Sequence, residues 1–410
     1  MNRIFSNDLR RPKAHLSPYI INYLYERNPW KVVWWSAAFP GAGYLLLCKY
    51  FTGAMLIIWE LFINFQAHIN EAILYSLIGE FEMAKAVIDT RWFLIYITVY
   101  IFQLRNCYKL TKDLNKFSRV ADRVESPILP FNMSPLEISY LAYRRPWEGA
   151  FWGFMNPGLE SIYANRLPTG MIMLICFIIT VYQSNVLPAI HLTFTGNTEM
   201  ARAAINSQWY LNIPSLMLFA VSSGYNDIQY TNHLFKVEQS RYLADHFQPA
   251  PFNMPHKKKE NSMHFISSFD YRSFLEGTIS ELEQIGISKE NIFVAPLNKK
   301  SPFKSNVDPF QGSTSEYELS FILGMIFMLL GGIYGFILEW GPIIWSLIGL
   351  VLGFILGLLL SFIFMKYRWR KKNTQTPTEV ILIVECEKQQ SEIVEQLLWR
   401  HKALGVTKTS

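Results

Sequence analysis

The sequence predicts an α-helical polytopic membrane protein with internal duplication, plus a small α+β ferredoxin-like cytoplasmic domain split by a transmembrane helical hairpin. Three observations lead to this fold class. Residues 27–115 recur as residues 144–232 at a constant shift of 117 positions, without a gap. Half of the 410 residues are hydrophobic and only 17% are charged. Near the carboxyl end, two long apolar segments lie between two short stretches of mixed strand and helix pattern.

The two copies agree at prolines, glycines, aromatic residues and one short charged run. The matched pairs include Pro29-Trp30 with Pro146-Trp147, Pro40-Gly41 with Pro157-Gly158, Gly53 with Gly170, residues 82–86 with residues 199–203, and Trp92 with Trp209. Each copy then ends on Pro-Phe-Asn-Met, at residues 130–133 and 251–254. Chance does not keep register over this distance. We therefore predict two copies of one membrane-embedded unit, residues 27–133 and 134–254.

Each copy contains three apolar segments, and a Pro-Gly pair interrupts the first. The segments are 32–47, 54–65 and 92–108 in the first copy, and 149–162, 170–182 and 209–225 in the second. A helix that crosses a bilayer needs about 20 apolar residues. The first segment is shorter and contains a helix breaker. We expect it to be re-entrant or shallow, with two true spans per copy, although a short helix in a bundle can also span.

Positive charge is concentrated before the first copy, in the linker between the copies, and after the second copy. Residues 70–91 and 187–208 contain few lysines or arginines. Because basic loops stay in the cytoplasm, two spans per copy place every basic segment inside. We expect a multi-pass protein of the cell membrane with cytoplasmic N- and C-termini, no cleaved secretory signal, and a cytoplasmic segment at residues 1–26. Basic runs beside apolar sequence favour contact with membrane lipid over nucleic-acid binding.

The carboxyl-terminal third contains two halves of a small domain, residues 255–318 and 366–410, each with the pattern strand, helix, strand. The predicted elements are a strand at 263–269, a helix at 271–285, a strand at 291–297, a strand at 379–386, a helix at 389–401 and a strand at 405–408. Without the intervening residues 319–365 the order is βαβ–βαβ, which is the ferredoxin-like pattern. A hairpin begins and ends on one side of the membrane, so the halves can meet there.

The predicted transmembrane hairpin, residues 319–365, contains glycines that lie four residues apart. Gly331 and Gly335 lie in the first arm, and Gly349, Gly353 and Gly357 in the second. Small residues at this spacing let helix backbones approach closely in lipid. The pattern indicates tight packing, but three partners fit it equally: the other arm, a second copy of the chain, or the duplicated unit.

Two partial resemblances to bacterial families are visible. The run Pro40-Gly41-Ala42-Gly43-Tyr44 with Lys49 and Gly53, and less closely Pro157-Gly158 with Tyr163, Arg166 and Gly170, resembles small two-transmembrane-helix modules. The second copy departs from that pattern by placing Glu160 where the module has glycine. The C-terminal third is similar in architecture to general-stress membrane proteins with a glycine-rich hairpin. The whole chain resembles polytopic membrane proteins of spore-forming Gram-positive bacteria. These resemblances imply no defined reaction, substrate or cofactor.

The sequence contains no recognisable catalytic or metal-binding motif. There is no Walker A loop, no GxGxxG after a strand, no HExxH and no GxSxG. The eight histidines form no HxH or HxxxH pair, and the four cysteines form no CxxC pair. We therefore expect no enzymatic activity, no metal and no cofactor.

Polar side chains inside the apolar segments are the candidate functional residues, because such residues are costly in lipid. They are Glu60, Asn64, Gln66, Gln183, Asn185, Arg105 and Asp227. Glu60 has Phe177 as its equivalent, so any role it has is asymmetric. Gln66 and Gln183 are equivalent, and their amides either bond each other or line a polar pocket. A structural role for Glu60, bonded to a neighbouring helix or protonated, fits as well as an ion or substrate role.

Three functions are compatible with this pattern. The preferred one is a non-enzymatic integral membrane scaffold or regulatory component that binds a protein partner or itself through its cytoplasmic domain. The alternative is a small-solute or ion transporter or channel with a pathway at the repeat interface. A lipid-modifying enzyme is the third, and the sequence offers no nucleophile or metal signature for it.

Overall fold

The computed structural model describes residues 12–123, 126, 128–248, 262–270, 275–297, 317–369 and 380–409. The second Pro-Phe-Asn-Met run at 251–254, the lysines at 257–259, the basic run at 370–372 and the polar loop at 298–316 lie outside these residues. The structure is mostly helical, at 69%. It divides into two compact units, the first formed by residues 1–140, 144–230 and 307–371, and the second by residues 141–143, 231–306 and 372–410.

The helices of the two copies have the same bounds at a shift of 117. The first unit begins with β1 (Ala14–Ser17) and β2 (Ile20–Tyr23), followed by α1 (Pro29–Ala38), α2 (Ala42–Leu46), α3 (Tyr50–Ala67), α4 (Ile69–Leu77), α5 (Phe81–Val87) and α6 (Thr90–Arg123). After β3 (Phe131–Met133) and β4 (Ile138–Tyr140) come α7 (Pro146–Met155), α8 (Leu159–Tyr163), α9 (Leu167–Ser184), α10 (Val186–Phe194), α11 (Thr198–Ala204), α12 (Ser207–Tyr210) and α13 (Ile213–His246). Helices α12 and α13 take the place of α6. Residues of α13 beyond Tyr230 belong to the second unit.

Four short strands at the ends of the first copy were not predicted from the sequence. β1 pairs with β2 and β3 pairs with β4, each antiparallel. The Asn132 amide donates a hydrogen bond of 2.9 Å to Leu16 O, and the Ser139 hydroxyl donates one of 2.8 Å to Ser17 O. The Pro-Phe-Asn-Met run that ends the first copy therefore attaches the inter-copy linker to the N-terminal hairpin.

The Pro-Gly pairs end one short helix and begin another, as their sequence predicts. Gly41 and Gly158 have φ of +94° and +112°, which glycine adopts without strain. A Cβ at Gly41 would lie 2.7 Å from Gly53 O, and one at Gly158 would lie 2.5 Å from Gly170 O. The two glycines have the same spacing in both copies. Each Pro-Gly break therefore packs against the first turn of the long helix of its copy, α3 or α9.

Three described helices are long and apolar enough to cross a membrane: Leu167–Ser184, Glu318–Gly335 and Gly341–Ile363. The pair Phe81–Val87 and Thr90–Asp122, bent by 89°, would add a fourth. Helix α3 has the bounds of α9 but does not qualify. It contains Glu60 and Asn64 where α9 has Phe177 and Val181, and these polar residues lower its hydropathy.

The elements beyond α13 are β5 (Ser262–Phe269), α14 (Leu275–Gln284), β6 (Ile292–Pro296), α15 (Glu318–Gly335), α16 (Gly341–Trp369), β7 (Val380–Glu387), α17 (Ser391–Arg400) and β8 (Gly405–Thr409). The four strands form one antiparallel sheet in the order β6-β7-β5-β8. The central pair, β5 and β7, comes from opposite sides of the hairpin in the sequence. Phe265, Leu282, Val384 and Leu398 are fully buried in a shared core, so the two halves form a single unit.

The hairpin glycines face the backbone of the opposite arm. A Cβ would lie 2.1 Å from Trp345 O at Gly331, 2.5 Å from Pro342 Cα at Gly335, 2.0 Å from Phe327 O at Gly349, 2.4 Å from Leu323 O at Gly353, and 2.4 Å from Ser320 Cα at Gly357. Contact at these distances excludes any side chain larger than hydrogen. Three packing partners fit the glycine pattern, and the structure shows the first of them. The two arms of the hairpin contact each other at these five positions.

Candidate functional site: a cavity beside Glu60

A cavity of about 240 Å³ lies where the first copy, the second copy and the hairpin meet. The first copy contributes the end of α1 and residues of α3, α4 and α6. The second copy contributes residues between Leu211 and Ser215, and the hairpin contributes Met325 and Leu329. We call this space the Glu60 cavity. Ten of its seventeen lining residues are apolar, and none is lysine, arginine or histidine.

Glu60 is the one charged residue among the described residues that line the cavity. Its side chain is buried, with 3% of its surface exposed. The Asn64 amide donates a hydrogen bond of 3.0 Å to Glu60 Oε1, and the Tyr96 hydroxyl lies 3.5 Å from the same atom. Glu60 Oε2 is buried and has no hydrogen-bond partner among the described residues. A buried carboxylate oxygen without a donor is costly, so a ligand that supplies a donor here gains binding energy.

An amide network joins the two copies at the edge of the cavity. The Gln208 side chain donates hydrogen bonds of 2.7 Å to both Asn64 O and Asn64 Oδ1. The Asn70 amide donates one of 2.9 Å to Gln208 O, and Asn64 Nδ2 lies 3.3 Å from Asn70 Oδ1. These groups satisfy one another and hold Asn64 against Glu60, whereas no donor among the described residues reaches Glu60 Oε2.

The other predicted amides do not line the Glu60 cavity. Gln66 is half-buried, whereas Gln183 and Asn185 are exposed. No hydrogen bond joins Gln66 to Gln183 among the described residues. Asn185 adopts a left-handed conformation at the turn between α9 and α10, with φ of +54°. Arg105 is exposed on α6. The residue of the second copy that bonds Asn64 is Gln208. It lies at the start of the short helix α12, and nothing in the sequence pattern marks it as a functional residue.

Asp227 lies in a second polar cluster, centred on Arg166. Both side chains are buried, and they form an ion pair. The Tyr23 hydroxyl donates a hydrogen bond of 3.0 Å to Asp227 Oδ1. The Arg166 guanidinium also donates to Leu45 O at 2.8 Å and to the Tyr50 hydroxyl at 3.3 Å. This Arg166 cluster joins both copies and the N-terminal hairpin. Asp227 aligns with Leu110, and this asymmetry between the copies is the signal that could have identified the pair.

A third cluster surrounds Glu318, which the sequence analysis missed. Its carboxylate is buried at the start of α15. Lys31 Nζ lies 2.7 Å from Oε2, and Trp35 Nε1 donates a hydrogen bond of 2.8 Å to Oε1. From the second copy, the Ser222 hydroxyl donates to both oxygens at 3.1 Å and Asn226 Nδ2 donates to Oε2 at 3.0 Å. Glu318 therefore fastens the first arm of the hairpin to both copies.

Glu160, the departure from the module pattern, has a structural explanation. In the first copy the Gly41 amide donates a hydrogen bond of 3.0 Å to Gln103 Oε1. The second copy has Ala220 at the position of Gln103, and there Glu160 Oε2 accepts the corresponding bond from the Gly158 amide at 2.6 Å. A different side chain thus satisfies the same backbone group in each copy.

The packing around Glu160 also differs between the two copies in a compensating way. In the first copy a Cβ at Gly43 would lie 3.2 Å from Cys107 Sγ. The equivalent pair in the second copy is Glu160 and Gly224, and a Cβ at Gly224 would lie 2.7 Å from Glu160 Cβ. In each copy a glycine faces a larger residue across this contact. The two copies place the glycine on opposite sides of the contact.

Two acids of the second unit, Glu238 and Glu276, have raised pKa values. Burial raises the pKa of Glu238 to about 7, and the nearby Glu276 carboxylate adds to the effect. Burial also raises the pKa of Glu276. Within the described ranges, no three His, Cys, Asp or Glu side chains are placed to hold a metal ion.

Comparisons of the chain with protein-family models, with curated proteins and with solved structures returned no match. The residues and their geometry therefore carry the functional argument alone.

Proposed function

We propose that this chain is a membrane transporter or channel for a small solute, with the Glu60 cavity as its binding site. The observation that carries the proposal is a cavity bounded by both copies and the hairpin and lined by Glu60, whose Oε2 has no hydrogen-bond partner among the described residues. Buried acids in membrane helices mark substrate or ion pathways, and transporters built from repeats bind their substrates at the repeat interface. The position of this acid in a cavity between the copies favours transport over the scaffold function.

The proposal includes a membrane arrangement. Two spans per copy and the hairpin cross the cell membrane, and both termini are cytoplasmic. Helices α1 and α2 contain ten and five residues and are separated by the Pro-Gly break. This length is short of the roughly 20 residues that a span needs, which supports a re-entrant first segment. The strand order of the second unit, second-third-first-fourth in the chain, supports a ferredoxin-like domain.

Replacement of Glu60 tests the proposed function. Purified wild-type protein is reconstituted in vesicles, and release of a mixed pool of small metabolites is followed by mass spectrometry. We expect Glu60→Gln to abolish a flux that the wild type supports, because the amide removes the negative charge at the binding site. Phe177→Leu, at the equivalent position of the second copy, serves as the matched control and keeps the flux. Equal flux through wild type and Glu60→Gln would contradict the proposal.

A scaffold or regulatory role for the second unit is the second candidate, favoured by one observation. β8 is an edge strand of the four-stranded sheet, and Thr407 and Lys408 on it are exposed. An exposed edge can pair with a strand of a protein partner or of a second copy. The variant Thr407→Cys should then form a disulfide between two chains under mild oxidation. Chains that stay monomeric at the same concentration in the membrane would argue against self-association.

A further inference from the structure

We infer that the ligand of the Glu60 cavity is a small organic cation, an amine or a quaternary ammonium ion. This inference rests on the proposed function of the site. It concerns which ligand the cavity recognises, whereas the proposed function concerns movement of that ligand across the membrane.

The charge of the cavity selects for a cation. Glu60 provides the single ionisable acid of the lining, and lysine, arginine and histidine are absent from it. An anion would be repelled by the Glu60 carboxylate, and no described lining residue is a basic group that would offset this repulsion. A neutral solute would leave the carboxylate charge uncompensated. A cation supplies that compensation, and an N–H bond of an amine also supplies the missing donor.

The remaining lining favours an organic cation over a metal ion. Ca²⁺ and Mg²⁺ require about six or more oxygen ligands. The amide oxygens of Asn64 and Asn70 already accept hydrogen bonds within the amide network. Glu60 is the single carboxylate among the described lining residues, and one carboxylate does not make a site for either metal ion.

The walls match the carbon part of such a cation. Tyr96 and Tyr100 both line the cavity, and the Tyr96 ring stacks on both Trp59 and Tyr100, with centroids 5.4 and 5.3 Å apart. Among the described ring contacts Tyr100 stacks only on Tyr96, which leaves its other face for an ammonium group within about 6 Å of the ring centroid. Apolar side chains such as Leu211 and Met325 complete the wall. The volume of about 240 Å³ is below the roughly 300–1,000 Å³ of pockets for drug-sized ligands, so the ligand is small.

Binding of choline and of its uncharged carbon isostere, 3,3-dimethylbutan-1-ol, tests the inference. Each is titrated into the purified full-length protein in lipid nanodiscs, and bound ligand is measured by calorimetry in potassium-free and sodium-free buffer. We expect choline to bind the wild type and the isostere to bind at least on the order of thirtyfold more weakly, as for loss of one member of a buried charge pair. Glu60→Gln should reduce choline affinity by a similar factor.

A second pair of variants keeps the test decisive if Glu60→Gln does not fold. Phe177→Leu, at the position equivalent to Glu60 and not among the lining residues, should keep choline binding within about threefold, whereas Tyr100→Leu removes a ring from the cavity wall and should weaken it by about fivefold or more. Equal affinity for choline and the isostere would overturn the inference. Binding of Na⁺ or K⁺ that depends on Glu60, with no binding of choline, would also overturn it. Choline binding without flux would contradict the transport proposal and leave the inference standing.

Discussion

At the residue scale, the buried carboxylates differ in whether their partners satisfy them. Asp227 pairs with Arg166 and accepts from Tyr23. Glu318 accepts donors from both copies. Glu60 alone among these three has an oxygen without a hydrogen-bond partner among the described residues. A fully paired buried charge fixes one arrangement of the chain, and an incompletely paired one is free to serve a ligand.

Loss of Asp227 should destabilise the first unit strongly. Asp227→Ala leaves Arg166 buried without its counter-charge, and breaking a buried pair in this way costs about 3–5 kcal/mol. The free energy of unfolding of the purified protein in detergent measures the loss. Arg105→Ala, at an exposed position on α6, should change stability by about 0.5 kcal/mol or less. Equal losses for the two variants would contradict a structural role for the Arg166 cluster.

At the element scale, the hairpin and the sheet hold the chain's most regular structure. The arms α15 and α16 meet through glycine, and the sheet forms from strands that the hairpin separates in sequence. Both features depend on close backbone approach, so small changes in side-chain size or charge should have effects that can be measured at each.

The hairpin glycines should not tolerate even a methyl group. A Cβ at Gly349 would lie 2.0 Å from Phe327 O, whereas one at Gly324 would lie 3.4 Å from Leu350 Cδ1, an ordinary contact. We expect Gly349→Ala to destabilise the protein by about 1–3 kcal/mol through overpacking. Gly324→Ala, also in a hairpin helix, should be neutral or stabilising by up to about 1 kcal/mol. Thermal unfolding in detergent compares them, and identical behaviour would refute arm-to-arm packing.

The second unit should lose stability as pH rises. Burial raises the pKa of Glu238 to about 7, above its ordinary value of 4.5. A raised pKa in the folded state means that folding favours the protonated form, so the stabilisation is full below pH 4.5 and disappears as pH passes through about 7. Hydrogen exchange of the β7 amides, corrected for intrinsic rates, should show greater protection at about pH 5 than at about pH 8. Glu238→Gln should flatten this dependence, and an unchanged pH profile in the variant would contradict it.

Periodicity predicted the elements well, because strand and helix patterns are local. The strand predicted at 263–269 is Ser262–Phe269, and the helix predicted at 389–401 is Ser391–Arg400. The surroundings of Glu60 could not be predicted in the same way. Gln208, which bonds Asn64, and Ser215, which lines the Glu60 cavity, come from the second copy through packing that no local pattern encodes. The strands at 14–17 and 20–23 escaped prediction because four residues are too few to show alternation.

At the scale of the whole molecule, duplication supplies a common frame and divergence supplies the site. The bounds of the first five helices repeat, but the carboxylate of the Glu60 cavity and its hydrogen-bond partners do not. Glu60, Asn64 and Tyr96 correspond to Phe177, Val181 and Ile213. The second copy therefore has no counterpart of the carboxylate, its amide partner or the tyrosine. Only one cavity of this chemistry is expected per chain, bounded by both copies.

Cysteine accessibility inside the Glu60 cavity tests the account most directly. Ser215→Cys places a thiol on the cavity wall, and Thr98→Cys places one at the equivalent position of the first copy, which is exposed on α6. Both are treated in vesicles with a cationic and an anionic thiosulfonate reagent at about pH 8, with wild-type protein as background. At Ser215→Cys we expect faster reaction with the cationic reagent, and Glu60→Gln should abolish this preference. Thr98→Cys should show no dependence on Glu60. A thiol at 215 that reacts with neither reagent, or with both equally in the presence of Glu60, would contradict a cation-binding cavity.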